Sequence, residues 1–317
     1  PVQRILFEQQ SASGVEALVN ERLVRFQCAR EVILCAGALH SPHVLQLSGV
    51  GNAKVLQSAG VPLIHELEGV GRNLQEHLGI ELRQSTKAGV TLGEEFQARR
   101  FLKHLIDYLL RRQGLLTFNG ALVSGFVNLD NKPDLRPDCQ VVFSPAATDQ
   151  SVPEGQVRII SGITSMAYPL RPDARGSVEI RSPMAEAPPR IRHNFLETER
   201  DCRQMLAAVK LQRRIFAQPA IAPYLEAELS PGEQVQSDTD ILDYVRGAAL
   251  GCYHPVGSCR MGQDGLAVVD ETLRVKGLRG LRVIDGSIMP TLISGNTNAA
   301  ITMIAEKGAD LVLNAAT

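Results

Sequence analysis

Two short apolar runs, each ending at a glycine turn, lie near opposite ends of this 317-residue chain. Residues 31–38 read EVILCAGA, and residues 281–286 read LRVIDG. Short apolar runs bounded by turn residues are typical of buried strands in a parallel sheet. We therefore predict an α/β domain of the dinucleotide-binding type to which both ends of the chain contribute.

The middle of the chain has a different pattern, with amphipathic helices and strand-like runs that suit an antiparallel α+β arrangement. We predict one domain from residues 1–77 and 252–317. A second domain, a sheet backed by helices, is predicted over residues 78–251. The chain contains no strand–GxGxxG–helix unit, the usual mark of a dinucleotide-binding turn.

Composition excludes several classes of function. The net charge is −1 and no segment concentrates Lys and Arg, which argues against a nucleic-acid partner. No apolar run approaches the roughly 18 residues of a membrane span, so no transmembrane segment is predicted. The six cysteines are scattered without a CxxC pair, which argues against a metal site and favours reduced thiols in the cytoplasm. Peripheral association with a membrane stays open.

The segment of residues 253–262, YHPVGSCRMG, carries the strongest chemical signal. An isolated histidine beside proline and glycine is usually a turn residue with a satisfied ring. Here Pro255 and Gly257 restrict the backbone, so the ring of His254 points in a defined direction. Imidazole is the usual base for an alcohol proton, and a flavin suits the hydride that then leaves the carbon.

Near the C-terminus, residues 294–298 read SGNTN and open a predicted helix. We expect one of Asn296 and Asn298 to cap that helix and the other to reach a ligand. Asp285 ends a predicted strand and precedes Gly286. It suits a hydrogen bond to a nucleotide hydroxyl and, equally, an Asx-turn.

Two further segments carry weaker signals. Gly37 and Ala38 follow the first apolar strand and permit close approach of a nucleotide. Asn73 and His77, in the turn of residues 71–77, suit loop cross-links or a cofactor contact, and we favour a structural role for His77.

Together these segments resemble the glucose-methanol-choline (GMC) family of FAD-dependent oxidoreductases. Residues 36–51 resemble its second signature, and residues 69–77 resemble its GxNLxDH turn, with Glu76 where Asp is usual. The histidine segment, residues 253–262, and the asparagine loop, residues 294–298, complete a resemblance that covers nearly the whole chain.

The resemblance implies a role for each matched residue. His254 falls on the catalytic histidine, and Asn296 falls on a second active-site position that is Asn in choline-type members. The implied FAD contacts are Gly37, Ala38, Asp285, Gly286 and Asn298. The implied fold is an FAD-binding domain without its N-terminal GxGxxG unit and an inserted α+β substrate-binding domain.

The implied function is FAD-dependent oxidation of a primary alcohol, with electrons passed to a non-oxygen acceptor such as a quinone. An alcohol oxidase, a lyase on the same scaffold and an inactive fragment are the alternatives. Because the N-terminal part of the family pattern is absent, we expect the isolated chain to be inactive. Aromatic residues make up only 4% and Trp is absent, which disfavours an aromatic cage for choline.

Overall fold

The computed structural model describes residues 1–118, 120–129, 136–149, 152–153 and 156–315. The chain divides into two compact units. The first unit contains Pro1–His77, Arg171–Glu197 and Tyr253–Thr317, and the second contains Leu78–Leu170 and Thr198–Cys252.

The strands are short and the helices are separated widely along the chain. In chain order, the strands are β1 (Val2–Glu8), β2 (Ser11–Val19), β3 (Arg22–Gln27), β4 (Val32–Leu34), β5 (Val50–Gly51), β6 (His65–Glu66), β7 (Arg72–Leu74), β8 (Leu78–Thr86), β9 (Val123–Val127), β10 (Cys139–Ser144), β11 (Ala147–Thr148), β12 (Ile159–Ile160), β13 (Gly162–Pro169), β14 (Gly176–Glu179), β15 (Arg190–Arg192), β16 (Leu225–Ser230), β17 (Leu250–Gly251) and β18 (Leu281–Val283). The helices are α1 (Gly37–Leu47), α2 (Ala53–Ser58), α3 (Ala98–Arg111), α4 (Glu199–Phe216), α5 (Asp238–Ala248) and α6 (Asn298–Asn314).

In the first unit, β4 and β18 form the parallel pair predicted from the two apolar runs. Val32 lies opposite Leu281, and Leu34 lies opposite Val283. The carboxyl ends of the two strands therefore meet, and the chain continues from them into α1 and into a 3₁₀ turn, Gly286–Ile288. The first unit also contains the antiparallel sheet β1-β2-β3 and the parallel pair β5-β6.

Helix α1 begins earlier than the sequence indicates. A proline with a preceding serine favours a helix start near Ser41, yet α1 begins at Gly37 and Pro42 lies inside it. Pro42 has no N–H, so it cannot donate to the Ala38 carbonyl one turn earlier. The hydroxyl of Ser258 donates to that carbonyl instead, at 2.5 Å, and satisfies it.

The segment Arg171–Glu197 packs within the first unit, whereas the sequence interpretation placed it in the region 78–251. Its strand β14 pairs with β7 in the antiparallel sheet β15-β14-β7. The buried side chain of Gln46 secures the segment further, since its amide nitrogen donates to the Val178 carbonyl at 2.9 Å and its oxygen accepts from Ile180 N–H at 2.6 Å.

The second unit is an antiparallel sheet with helices, in agreement with the predicted α+β character. The strand order is β16-β8-β13-β10-β9, with β17 also paired to β8. Helix α4 contacts β13 and β8, and its Ala208 joins a buried cluster with Val141 and Ala167. Thr198 caps α4, and Ser237 and Asp240 form a capping box at the start of α5.

Candidate active site

His254 lies in a turn whose backbone is held in one conformation. Tyr253, the preceding residue, has φ 61°, a left-handed value that a bulky side chain rarely adopts. The His254 N–H donates to both carboxylate oxygens of Glu76, at 2.8 and 3.0 Å. Gly257 has φ +90°, and a Cβ there would lie only 2.7 Å from the Asn73 carbonyl oxygen. These contacts keep the His254 side chain in a defined position.

Both ring nitrogens of His254 have partners. Nδ1 lies 3.0 Å from Nδ1 of His77, and the two rings meet edge to face with centroids 5.2 Å apart. Nε2 lies 3.1 Å from the amide nitrogen of Asn296. An amide nitrogen can only donate, so with this amide orientation Nε2 is unprotonated and the proton of the neutral His254 ring lies on Nδ1. That Nδ1–H donates to the Nδ1 lone pair of His77.

The environment of His254 favours its neutral form. Burial lowers the pKa of His254 below its usual value, because a charged ring loses hydration there. A neutral imidazole with its lone pair on Nε2 is the form that accepts a proton from a substrate. The arrangement can therefore act as a general base at neutral pH.

The structure adds Glu76 and His77 to the site, whereas the sequence interpretation gave Glu76 no role and favoured a structural role for His77. His77 is fully buried, and its backbone N–H donates to the Glu76 carboxylate at 2.9 Å. Glu76 is also buried and joins the backbones of His77 and His254. The available signal was the turn of residues 71–77, in which Asn73 does cross-link loops by donating to the carbonyls of Gly257 and Pro290.

The start of α6 differs from the prediction that one asparagine caps it. The N-cap residue is Thr297, and it makes no side-chain capping hydrogen bond. Asn296 instead donates to His254 Nε2, and Asn298 is the exposed first residue of the helix. The first turn of α6 contains no acidic residue to offset the positive potential of its N–H groups.

Asp285 lies at the junction of β18 and α1. Its Oδ2 accepts from Gly37 N–H at 2.9 Å and from the Ser41 hydroxyl at 2.5 Å. Its Oδ1 accepts from Ser287 N–H at 2.8 Å. The turn role considered for Asp285 is therefore present, and its cofactor contact stays a prediction.

The remaining predicted cofactor residues occupy different environments. Gly37 has φ +78° and open space where a Cβ would point, so it borders an accessible surface. Ala38 is buried, and its carbonyl accepts from Ser258. Gly286 is buried against α6, where an added Cβ would lie 3.1 Å from Ile301. Gly37 thus has the open setting that a ligand needs, and Ala38 and Gly286 have packing roles here.

Two kinds of feature are absent from the described residues. Across the described residues, no group of three His, Cys, Asp or Glu side chains is arranged to hold a metal ion. In the same part of the chain, no helix combines the length and apolar character that a bilayer span requires.

Comparisons with known proteins agree with this architecture. The family model described as GMC oxidoreductase matches in two parts, its N-terminal part over residues 1–79 and its C-terminal part over residues 172–305. An alcohol dehydrogenase [acceptor] of Pseudomonas putida is 39% identical over 98% of this chain and 56% of its own length. The human mitochondrial choline dehydrogenase is 40% identical over 98% of this chain and 52% of its own length.

Solved structures have the same fold. A pyridoxine 4-oxidase from Mesorbium loti aligns with a TM-score of 0.82 at 29% identity, over 98% of this chain and 56% of that one. A formate oxidase aligns with a TM-score of 0.90 at 21% identity, over 98% of this chain and 59% of that one. The chain spans little more than half the length of the relatives and solved structures that it matches.

Proposed function

We propose that this chain, which belongs to the GMC oxidoreductase family, is part of an FAD-dependent enzyme that oxidises a primary alcohol. The observation that carries the proposal is the arrangement around His254. A neutral imidazole directs the lone pair of Nε2 toward the amide of Asn296, at 3.1 Å, in front of the start of α6. A hydroxyl group that displaces this contact can accept a hydrogen bond from the Asn296 amide and give its proton to Nε2.

In the proposed reaction, His254 Nε2 accepts the hydroxyl proton of the substrate and Asn296 orients the substrate oxygen by hydrogen bonding. Proton removal gives the oxygen alkoxide character, which weakens the adjacent C–H bond toward hydride loss. The resulting imidazolium of His254 carries N–H on both nitrogens. Its Nδ1–H keeps the bond to His77, which becomes charge-assisted and stabilises the protonated ring.

The residues present fit FAD. Thr297 makes no side-chain capping bond to α6 and the first turn of α6 has no acidic residue, which suits an electron-rich flavin edge. The carboxyl ends of β4 and β18 meet beside Gly37, where the space for a Cβ is open, and nucleotides bind at such strand ends. When bound, FAD supplies the hydride acceptor for the oxidation.

We propose that five residues contribute to FAD binding, some by direct contact and others by shaping the turns. Gly37 and Asn298 border accessible space and are proposed to contact the cofactor directly. Asp285 is proposed to contact a hydroxyl group, for which Oδ1 has a second lone pair beside its bond to Ser287 N–H. Ala38 and Gly286 are proposed to shape the turns that present these groups.

For the substrate, we propose a primary aliphatic alcohol rather than choline. Two relatives are named an alcohol dehydrogenase [acceptor] and a choline dehydrogenase, so both classes occur among similar proteins. Quaternary ammonium groups are usually bound by aromatic cages, and this chain has no Trp and only 4% aromatic residues. We also propose that electrons pass to a non-oxygen acceptor such as a quinone.

The experiment uses the full-length protein. A primary alcohol added without oxygen should bleach the flavin absorption, and a quinone should restore it faster than dissolved oxygen does. Rapid restoration by oxygen would favour an alcohol oxidase. A bound flavin that no alcohol bleaches would favour a lyase, and absence of flavin would contradict the proposal altogether.

A further inference from the structure

Helix α3 of the second unit presents an apolar face to solvent. Five aliphatic side chains, spaced three and four residues apart, form this face. Their exposed fractions are 56% for Leu102, 36% for Leu105, 47% for Ile106, 60% for Leu109 and 78% for Leu110. In an amphipathic helix this spacing places the side chains on one side. We call these five residues the α3 face.

The α3 face is unusual within this protein. Helix α4, which is also amphipathic, buries Met205, Ala208 and Val209 in its unit. The main contacts of α3 are with two 3₁₀ turns, Leu92–Phe96 and Leu115–Thr117. A helix whose aliphatic side chains lie in water is suited to burying them against another surface.

Helix α3 and the residue after it are rich in basic side chains. Residues 98–112 contain five arginines and lysines and one acidic residue, Asp107. Arg100 pairs with Glu94 and Glu95, and Arg111 lies 3.8 Å from Asp107. The basic members are Arg99, Arg100, Lys103, Arg111 and Arg112.

Three of these cations are available to an external partner. Arg99, Lys103 and Arg112 are exposed and form no ion pair with any described residue. Arg112 instead lies over the Tyr108 ring, at 5.1 Å. Long basic side chains beside an apolar stripe can extend to phosphate groups while their stems stay in the apolar layer.

We propose that the α3 face docks on the surface of an anionic lipid bilayer, with α3 lying parallel to the membrane. A basic amphipathic helix of low overall hydrophobicity binds in this manner. The charge of the flanking residues is complementary to anionic headgroups. The centre of the face is purely aliphatic, whereas protein interfaces are anchored mainly by Trp, Tyr and Arg. This proposal does not depend on the activity proposed above.

The test is flotation of the purified full-length protein with lipid vesicles. Binding to phosphatidylcholine mixed with phosphatidylglycerol should exceed binding to phosphatidylcholine alone, and salt should weaken it. Leu109→Gln with Leu110→Gln should reduce partitioning about tenfold or more. Arg99→Gln with Lys103→Gln should reduce it about fivefold for each charge removed.

The matched control is Leu23→Gln with Leu250→Gln, two leucines outside α3 that are exposed to 63% and 58%. This variant should float like the parent. Equal binding to both vesicle types, or no binding to either, overturns the proposal. A leucine variant that floats normally also overturns the proposal. If that variant has a lower thermal midpoint or a changed elution volume as well, the α3 face is covered by protein.

Discussion

Replacement of His77 by alanine in the full-length protein tests how the base is held. His77 is fully buried, and its Nδ1 lies 3.0 Å from Nδ1 of His254. A neutral hydrogen bond contributes roughly 0.5–1.5 kcal/mol and one to a charged group roughly 1.5–3 kcal/mol. The bond strengthens by about 1–1.5 kcal/mol when His254 becomes protonated, so losing it should slow proton abstraction about tenfold.

The pH profile separates this effect from general damage. Burial already lowers the pKa of His254, and loss of the His77 acceptor should lower it further because the imidazolium is less stabilised. Activity needs the neutral ring, so the acid limb of the anaerobic flavin-reduction rate should move to lower pH while the plateau falls. His77→Gln keeps an acceptor oxygen and should recover part of both changes. An acid limb and plateau identical to the parent would refute the role of His77.

Three further predictions concern the full-length protein. His43→Leu should raise the free energy of unfolding by about 1–3 kcal/mol, since Nε2 of His43 is buried without a described hydrogen-bond partner. Burial also lowers the pKa of His43, so the unfolded chain binds a proton at this position more readily than the folded chain does. Thermal scans below about pH 6.5 should therefore show the parent losing more stability than the variant. Gly257→Ala should cost at least about 1–2 kcal/mol in thermal unfolding, because φ is +90°, whereas Gly265→Ala, with open space and no strained φ, should be neutral. Asp285→Ala should weaken flavin affinity about 10–100-fold, measured as flavin lost on dilution. If Ser41→Ala, which loses one of the same internal bonds, weakens it equally, Asp285 acts through the turn alone.

The fold could be predicted from sequence where local patterns dominate. The two apolar runs predicted the parallel strands β4 and β18, and the asparagine loop predicted the helix that follows it, α6 (Asn298–Asn314). The start of α1 could not be predicted, because the proline at position 42 is tolerated through a hydrogen bond between Ser258 and Ala38, far apart in sequence. Long-range contacts also account for the placement of Arg171–Glu197 in the first unit.

The same distinction applies to the candidate site. His254 was selected from local sequence and Asn296 from the family resemblance, and the two lie within hydrogen-bonding distance. The asparagine cap was wrong, because the amide of Asn296 bonds to His254 while Thr297 occupies the cap position. His77 was assigned a structural role because nothing in the sequence places its ring beside His254.

The measurement that tests the central claim most directly is stopped-flow reduction of the flavin by a primary alcohol, without oxygen, in full-length His254→Ala. The rate should fall by about 10²–10⁴-fold, the usual scale for a lost general base, and the loss should shrink at high pH. Asn296→Ala should cost less, because an amide orients the substrate but cannot take its proton. A His254→Ala enzyme that keeps its flavin and is reduced at the parental rate would contradict the assignment of His254 as the base.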